Sequence, residues 1–147
     1  MPVPYVNSMS SMKIIYATDV HEAYKTVQNL LRMTDADLYI LAGDLLYSAF
    51  SSWDMAARFT DVQQAIFSWG ASRGIAGRRH DIARHILENP ATTADERALA
   101  QRFLDMTDLA RRTMLGKYER FARIFRASGK TAIITIPGNY DMDLAHT

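Results

Sequence analysis

The sequence predicts an α/β fold: a parallel βαβ core that carries a large helical insertion. Three runs are rich in β-branched and apolar residues, and their nearly continuous apolar positions are typical of parallel strands buried on both faces. These runs are residues 13–18, 37–42 and 131–137. Residues 22–33 lie between the first two runs and place apolar side chains at helical spacing. The chain therefore opens with a strand, a helix and a second strand.

The elements of the core follow one another along residues 13–147, which we interpret as one partial α/β domain after a flexible leader at residues 1–12. The first helix places four apolar residues on one face: Ala23, Val27, Leu30 and Leu31. A βαβ crossover is right-handed almost without exception, and ligands collect at the carboxyl ends of its strands. Polar residues that directly follow a strand are therefore the candidates for chemistry.

A helical insertion is predicted between Asp44 and Asn139, because their separation is far longer than a βαβ crossover needs. Its pattern indicates a mostly helical cap over about residues 50–128. Either Ser51 or Ser52 is suited to cap the first helix of this insertion.

Two further helices complete the predicted cap. A short helix spans residues 81–88. Thr93 and Glu96 have the spacing of a capping box, which begins a long helix. That helix runs to about Ser128, where Gly129 ends it.

Four polar side chains follow the predicted strands: Asp19, His21, Asp44 and Asn139. We expect them to meet at one edge of the sheet, and in an extended chain Asp19 and His21 point the same way. Two carboxylates, an imidazole and an amide oxygen suit Mn, Fe, Zn or Mg, and are too oxygen-rich for a structural zinc site. Asp44 is the natural bridging ligand, since one carboxylate can hold two cations roughly 3.5–4 Å apart.

Three motifs contain these residues: Asp19-Val20-His21, Gly43-Asp44 and Gly138-Asn139-Tyr140-Asp141. The glycines leave room for the backbone to approach bound ions closely. In this order the motifs resemble those of the calcineurin-like metallophosphoesterases, a superfamily of two-metal enzymes that includes phosphomonoesterases, cyclic-nucleotide phosphodiesterases and DNA nucleases. The resemblance covers the first half of the family domain.

The resemblance implies a role for each motif residue. Asp19 and His21 would bind one metal, Asp44 would bridge two metals, and Asn139 would bind the second. The implied reaction is hydrolysis of a phosphomonoester or phosphodiester by in-line attack of a metal-bound hydroxide. Asn139 and Tyr140 are the implied catalytic residues. The family normally has a His where this chain has Tyr140, and a phenol is a poorer proton shuttle at neutral pH than an imidazole.

The family completes its metal sites with histidines from a second half of the fold, and its two sheets form a sandwich. The three remaining histidines, His80, His85 and His146, do not match those later motifs. We therefore expect a fragment of a longer enzyme or a shortened gene product that supplies one sheet. A partner chain or the protein's own helices would cover the second sheet face, or it would stay an apolar patch. The alternative is a catalytically inactive metallophosphoesterase-like module for binding or oligomerisation.

Positive charge is concentrated in the predicted cap. Residues 50–130 contain 14 Lys and Arg against 9 Asp and Glu, whereas the rest of the chain contains 3 against 7. A basic cap with an acidic, ligand-bearing base suits an anionic substrate. Arg78 and Arg79 lie in a glycine-broken stretch and are candidates for phosphate contacts. The alternative is that the basic residues of the cap form a solvated helix face.

Composition restricts the setting and the partners. The sequence has no Cys, which excludes a disulfide framework and a thiolate zinc site and is compatible with the cytoplasm, where we expect the protein. No apolar run is long enough to span a bilayer, so we expect no membrane partner. The expected partners are a phosphorylated small molecule or nucleotide and a second copy of the chain. The formal net charge of +1 argues against a dedicated nucleic-acid binder and leaves a nuclease-type substrate open.

Overall fold

The computed structural model describes residues 11–139 and residue 141, and this part of the chain contains three strands and four helices. The strands are β1 (Ile14–Thr18), β2 (Leu38–Gly43) and β3 (Ile133–Pro137). The helices are α1 (Tyr24–Met33), α2 (Trp53–Ser72), α3 (Arg79–Glu88) and α4 (Ala94–Ser128). The predicted α/β class is confirmed. Among these four helices none combines the length and the apolar character that crossing a membrane requires.

The three strands form one parallel sheet in the order β1-β2-β3. Ile14 of β1 lies opposite Leu38 of β2, and Ile40 of β2 lies opposite Ile134 of β3. Because all three strands run the same way, their carboxyl ends reach the same edge of the sheet. This register brings the segments that follow the strands together.

The chain divides into two compact units, and one of the two boundaries between them falls within α4. The sheet unit comprises the residues up to Tyr47 and those from Arg120 onward, and the helical unit comprises Ser48–Glu119. The last turns of α4 group with the sheet unit, where Phe121 packs on Tyr24 with ring centroids 4.6 Å apart. The helical unit is thus shorter than the predicted insertion of about residues 50–128.

One face of the sheet carries the core of the sheet unit. Large side chains from β2, α1 and α4 are no more than 2% exposed: Tyr39, Leu41, Val27, Leu31 and Phe121. Val27 and Leu31 of the apolar face that the sequence predicts for α1 are buried, together with Tyr24, whereas Ala23 and Leu30 are half-buried.

The opposite face of the sheet is exposed in the described part of the chain. Ile14 and Tyr16 of β1, with Ile134 and Ile136 of β3, are 48–62% exposed. The strand register places all four on the same side as Ile40. The prediction that the strands are buried on both faces is therefore wrong for β1 and β3. A continuous apolar run does not reveal how many faces of a strand are covered, because both faces of these strands are apolar in either case.

The helices of the helical unit begin with the caps that the sequence predicts. Ser52, and not Ser51, caps α2, since its Oγ accepts a hydrogen bond from the Met55 N–H at 3.3 Å. The Thr93 N–H donates to Glu96 Oε2 at 2.8 Å, and the Glu96 N–H donates to Thr93 Oγ1 at 3.2 Å. This reciprocal pair is the predicted capping box.

The other boundaries of the helical insertion are close to the predicted ones. Helix α3 begins at Arg79, two residues earlier than predicted, and α4 ends at Ser128, as predicted. Gly129 follows with φ of 69°, which glycine adopts without a steric penalty. The helical unit packs around one apolar cluster, whose buried members are Val62, Ile66, Trp69, Ile82, Ala83, Ile86, Ala100 and Phe103.

Candidate metal centre

The loops that follow β1 and β2 run side by side at the carboxyl edge of the sheet. The Asp19 N–H donates to the carbonyl oxygen of Ala42 at 3.0 Å, which continues the strand pairing beyond the end of β1. The His21 N–H donates to the carbonyl oxygen of Asp44 at 3.1 Å. We call residues 19–22 the β1 loop and residues 44–47 the β2 loop. Their backbones hold the predicted ligands of both loops next to each other.

The side chains of Asp19, His21 and Asp44 converge at this edge. Each contributes one ligand atom, and the three atoms lie within 4.8 Å of one another. Asp44 is 5% exposed, whereas the other two side chains face solvent. Two carboxylates and an imidazole fit a hard or borderline divalent cation such as Mn, Fe, Zn or Mg. The structure thus brings together three of the four predicted ligands.

Two glycines make room for the acidic side chains. Gly43 has φ of 70°, and a Cβ at this position would lie 2.6 Å from Oδ1 of Asp19. A Cβ at Gly138 would overlap the Asp44 carboxylate and lie 2.6 Å from the Asp44 main-chain nitrogen. We predicted that these glycines let the backbone approach bound ions. In the structure the space they leave is occupied by the carboxylates of the candidate ligands.

The β1 loop is not extended. Asp19, His21 and Glu22 have φ angles of 50°, 42° and 63°, in the left-handed region that residues other than glycine rarely adopt. The prediction that Asp19 and His21 point the same way along an extended chain is therefore wrong, and their ligand atoms meet through a different backbone path. Such conformations cost about 1–3 kcal/mol each and cluster at functional sites.

His21 is held by groups of the β2 loop. Its Nδ1 lies 3.3 Å from the carbonyl oxygen of Leu46, and its ring meets the Tyr47 ring edge to face with centroids 5.6 Å apart. When Nδ1 carries the proton it donates to Leu46, and Nε2 then presents a lone pair. This arrangement is typical of histidines that bind metals, because the second hydrogen bond fixes the tautomer and the ring orientation.

The pKa of the Asp19 carboxyl is lowered. The largest cause is a hydrogen bond from the Thr18 side chain, followed by a hydrogen bond from the Asp44 N–H at 3.3 Å and by the charge of His21. Each of these favours the ionised form of the carboxyl. Asp19 is therefore a carboxylate at neutral pH, which is the form that binds cations.

Asp141 contacts both the β2 loop and the turn after β3. Its Oδ2 accepts hydrogen bonds from the Leu45 N–H at 3.0 Å and from the Gly138 N–H at 3.1 Å. Its Oδ1 accepts a hydrogen bond from the Leu46 N–H at 3.1 Å. Sequence reasoning gave this residue no role, because Leu45 lies 96 residues away along the chain. The one signal in the sequence is its place in the motif that follows β3.

The other two residues predicted in the third motif are Asn139 and Tyr140. Asn139 is exposed and directly follows Gly138, whose backbone lies against Asp44. Its role as a ligand of the second metal and in catalysis stays a prediction. Tyr140 lies outside the described residues.

The two arginines predicted to bind phosphate belong to the helical unit. The Nε of Arg78 donates to Asp81 Oδ2 at 3.0 Å, and the Arg79 guanidinium carbon lies 5.8 Å from the centroid of the Phe67 ring. Their predicted contact with a substrate stays a prediction.

Comparisons of this chain with protein-family models, with curated proteins and with solved structures find no match. The resemblance to the metallophosphoesterases rests on the three sequence motifs.

Proposed function

We propose that this chain forms the metal-binding part of a two-metal phosphoesterase of the calcineurin-like type, which hydrolyses a phosphomonoester or a phosphodiester. The observation that supports the proposal is the convergence of ligand atoms from Asp19, His21 and Asp44 within 4.8 Å. They converge at the carboxyl edge of a parallel sheet, where α/β proteins bind their ligands.

In this proposal Asp19 and His21 would hold the first cation, Asp44 would serve both cations and Asn139 would hold the second. Mn, Fe, Zn and Mg all suit these oxygen and nitrogen donors. Bound divalent cations lower the pKa of a water molecule and neutralise charge on phosphoryl oxygens. The ionised Asp19 carboxylate supplies negative charge that attracts them.

The chain's own groups have distinct tasks around a bound phosphate ester. The Leu46 carbonyl orients the His21 ring, so that Nε2 keeps its lone pair for the cation. Asn139 offers both an amide oxygen and an N–H donor beside the substrate. Tyr140 is the other catalytic residue of this proposal, since its phenol can donate a hydrogen bond where the family has a His.

The proposal extends to the partners of the chain. The substrate is a phosphorylated small molecule or a nucleotide, and Arg78 and Arg79 bind its phosphate. The exposed sheet face around Tyr16 and Ile136 corresponds to the face that a second sheet covers in the family sandwich. Histidines from another segment or from another chain complete the metal site, and the protein acts in the cytoplasm.

A calorimetric titration of the metal-free chain with Mn²⁺ tests the proposal, run beside Asp44→Asn. The wild type should bind Mn²⁺ saturably. The variant should lose the second cation and bind the first more weakly, because a bridging carboxylate serves both. Asp37→Asn is the matched control, since the Asp37 carboxylate accepts a hydrogen bond from the Lys13 N–H at 2.7 Å, before β1 and β2 begin. Equal binding by the wild type and Asp44→Asn, or no binding by either, would contradict a two-metal site.

Turnover tests whether the chain is active by itself. The Mn²⁺-loaded chain is incubated with p-nitrophenyl phosphate, a monoester, and with bis-p-nitrophenyl phosphate, a diester. Release of nitrophenolate that Asp44→Asn abolishes supports a phosphoesterase and identifies the ester class. Metal binding with no hydrolysis of either ester is the result expected of the catalytically inactive module and of an enzyme whose site needs the further histidines.

A further inference from the structure

We propose that Asp141 is a positioning residue of the metal site. Its carboxylate joins the β2 loop to the turn after β3, and thereby fixes Asp44 relative to Asn139. This inference rests on the proposed function, because it assigns to Asp141 the geometry of the two ligands that follow β2 and β3.

The geometry of the three hydrogen bonds carries the inference. Leu45 and Leu46 of the β2 loop donate to different oxygens of the carboxylate, at 3.0 and 3.1 Å. Gly138 donates from the turn after β3, at 3.1 Å. Hydrogen bonds to a carboxylate are charge-assisted and therefore stronger than those between neutral groups. One side chain thus connects two segments that are far apart along the sequence.

The bonded groups are the immediate neighbours of the ligands. Leu45 follows Asp44 directly, and Gly138 precedes Asn139 directly. Loss of the hydrogen bond at Leu45 or at Gly138 would therefore shift the backbone of the residue next to it, which is Asp44 or Asn139.

The packing at Gly138 shows how close this connection is. A Cβ on Gly138 would lie 2.7 Å from the carbonyl carbon of Gly43 and 2.6 Å from the nitrogen of Asp44. The two segments are therefore in van der Waals contact, and glycine is required where they meet. The Asp141 carboxylate holds together the two segments that this glycine allows to touch.

Asp141 is not a member of the group of converging ligand atoms. Both of its carboxylate oxygens accept hydrogen bonds from main-chain N–H groups. Among the described residues the converging ligand atoms come from Asp19, His21 and Asp44. Asp141 therefore acts through the backbone of Asp44 and Asn139, as outer partners of metal ligands do.

Asp141→Asn in the full-length chain tests the connection, because it keeps the size of the side chain and replaces one acceptor oxygen with an NH₂ group. Hydrogen exchange of the metal-free protein should be about tenfold faster at the amides that lose their acceptor oxygen, which are either Leu46 or the pair of Leu45 and Gly138. Amides within the strands should keep their rates. Asp37→Asn is the control, because it makes the same chemical change at a carboxylate that accepts the Lys13 N–H.

Metal affinity provides the second readout. Asp141→Asn should weaken Mn²⁺ binding by about 10- to 100-fold, the range that is typical for outer partners of metal ligands. Asp37→Asn should bind Mn²⁺ as the wild type does. A wild type that binds no Mn²⁺ would overturn the proposed function, while the exchange rates would still decide whether Asp141 joins the two segments.

Three results would overturn the inference. The first is unchanged exchange at Leu45 and Leu46 in Asp141→Asn. The second is Mn²⁺ affinity equal to that of the wild type. The third applies if the variant does not fold, and it is measured on the wild type. It is hydrogen exchange of the wild-type Leu45 and Leu46 amides as fast as in an unstructured peptide.

Discussion

The carboxylate of Asp19 accepts a hydrogen bond from the main-chain N–H of Asp44 at 3.3 Å. The bond directs a backbone N–H dipole at the Asp19 carboxylate, which favours its ionised form. It is one of the causes that lower the pKa of Asp19. The backbone of the β2 loop therefore lets two carboxylates share one site while Asp19 stays ionised.

Gly43→Ala should destabilise the chain more than Gly129→Ala. Both glycines adopt the left-handed backbone conformation, with φ of 70° and 69°. Each substitution therefore carries the same backbone cost of about 1–2 kcal/mol. A Cβ at Gly129 meets nothing within 4 Å, whereas one at Gly43 lies 2.6 Å from Asp19 Oδ1. Urea unfolding of both variants measures the difference, which we expect to exceed about 1 kcal/mol because the Asp19 side chain must leave its rotamer. Equal destabilisation would contradict the close approach at Gly43.

The contribution of Asp19 to stability should depend on pH. Its folded-state pKa is lowered, so the stabilisation is fully present above the ordinary value of 3.8 and is lost as the pH falls through the lower folded-state pKa. The free energy of unfolding should therefore differ most between the wild type and Asp19→Asn at neutral pH. Urea unfolding in a metal chelator, from neutral pH to below 3.8, measures this difference. A difference that stays constant over this range would contradict the lowered pKa.

Glu96 should matter more to the helical unit than its capping partner. Thr93→Ala removes one cap bond and should cost about 1 kcal/mol. Glu96→Ala should cost more, because the carboxylate also accepts the Trp69 indole N–H at 2.7 Å and pairs with Arg73 at 2.6 Å. Urea unfolding followed by Trp fluorescence measures both variants. A smaller loss of unfolding free energy for Glu96→Ala than for Thr93→Ala would contradict a stabilising role of the contacts with Trp69 and Arg73.

The exposed sheet face should make the chain self-associate. Ile136→Lys adds a charge to this face, where Ile136 is 50% exposed, and should reduce association. Met33→Lys is the control, because Met33 is 77% exposed at the end of α1 and lies on no strand. Sedimentation over a wide range of protein concentration measures the effect. A monomeric wild type, or equal effects of the two substitutions, would contradict a role for this face.

The sequence predicts those features of the fold that depend on local patterns. The capping box at Thr93 and Glu96 needs only a four-residue motif, and it forms as predicted. The meeting of Asp19 with Asp44 follows from the parallel strands, because parallel strands end at one edge. Periodicity and capping therefore suffice to place these elements and to bring two loops together.

Features that depend on tertiary contacts could not be predicted in this way. The left-handed φ angles of Asp19 and His21 arise where the β1 loop pairs with the β2 loop, and no glycine marks those positions. The role of Asp141 depends on hydrogen bonds to Leu45 and Leu46, which become neighbours only once β3 joins the sheet. A residue pattern within one segment contains no information about such partners.

The hydrogen bonds of Asp141 also bear on the order of folding. Closing a loop of about 95 residues costs chain entropy that local contacts do not repay, so long-range pairing tends to form late. Along the chain β1 and β2 are separated by the short helix α1, so the loops that follow these two strands can pair early. The segment after β3 is separated from these two loops by the whole helical insertion, so its hydrogen bonds to the β2 loop close a long loop. Uptake of metal during refolding would therefore report the arrival of the last strand, and slow uptake after rapid recovery of helix would be the kinetic mark of this topology.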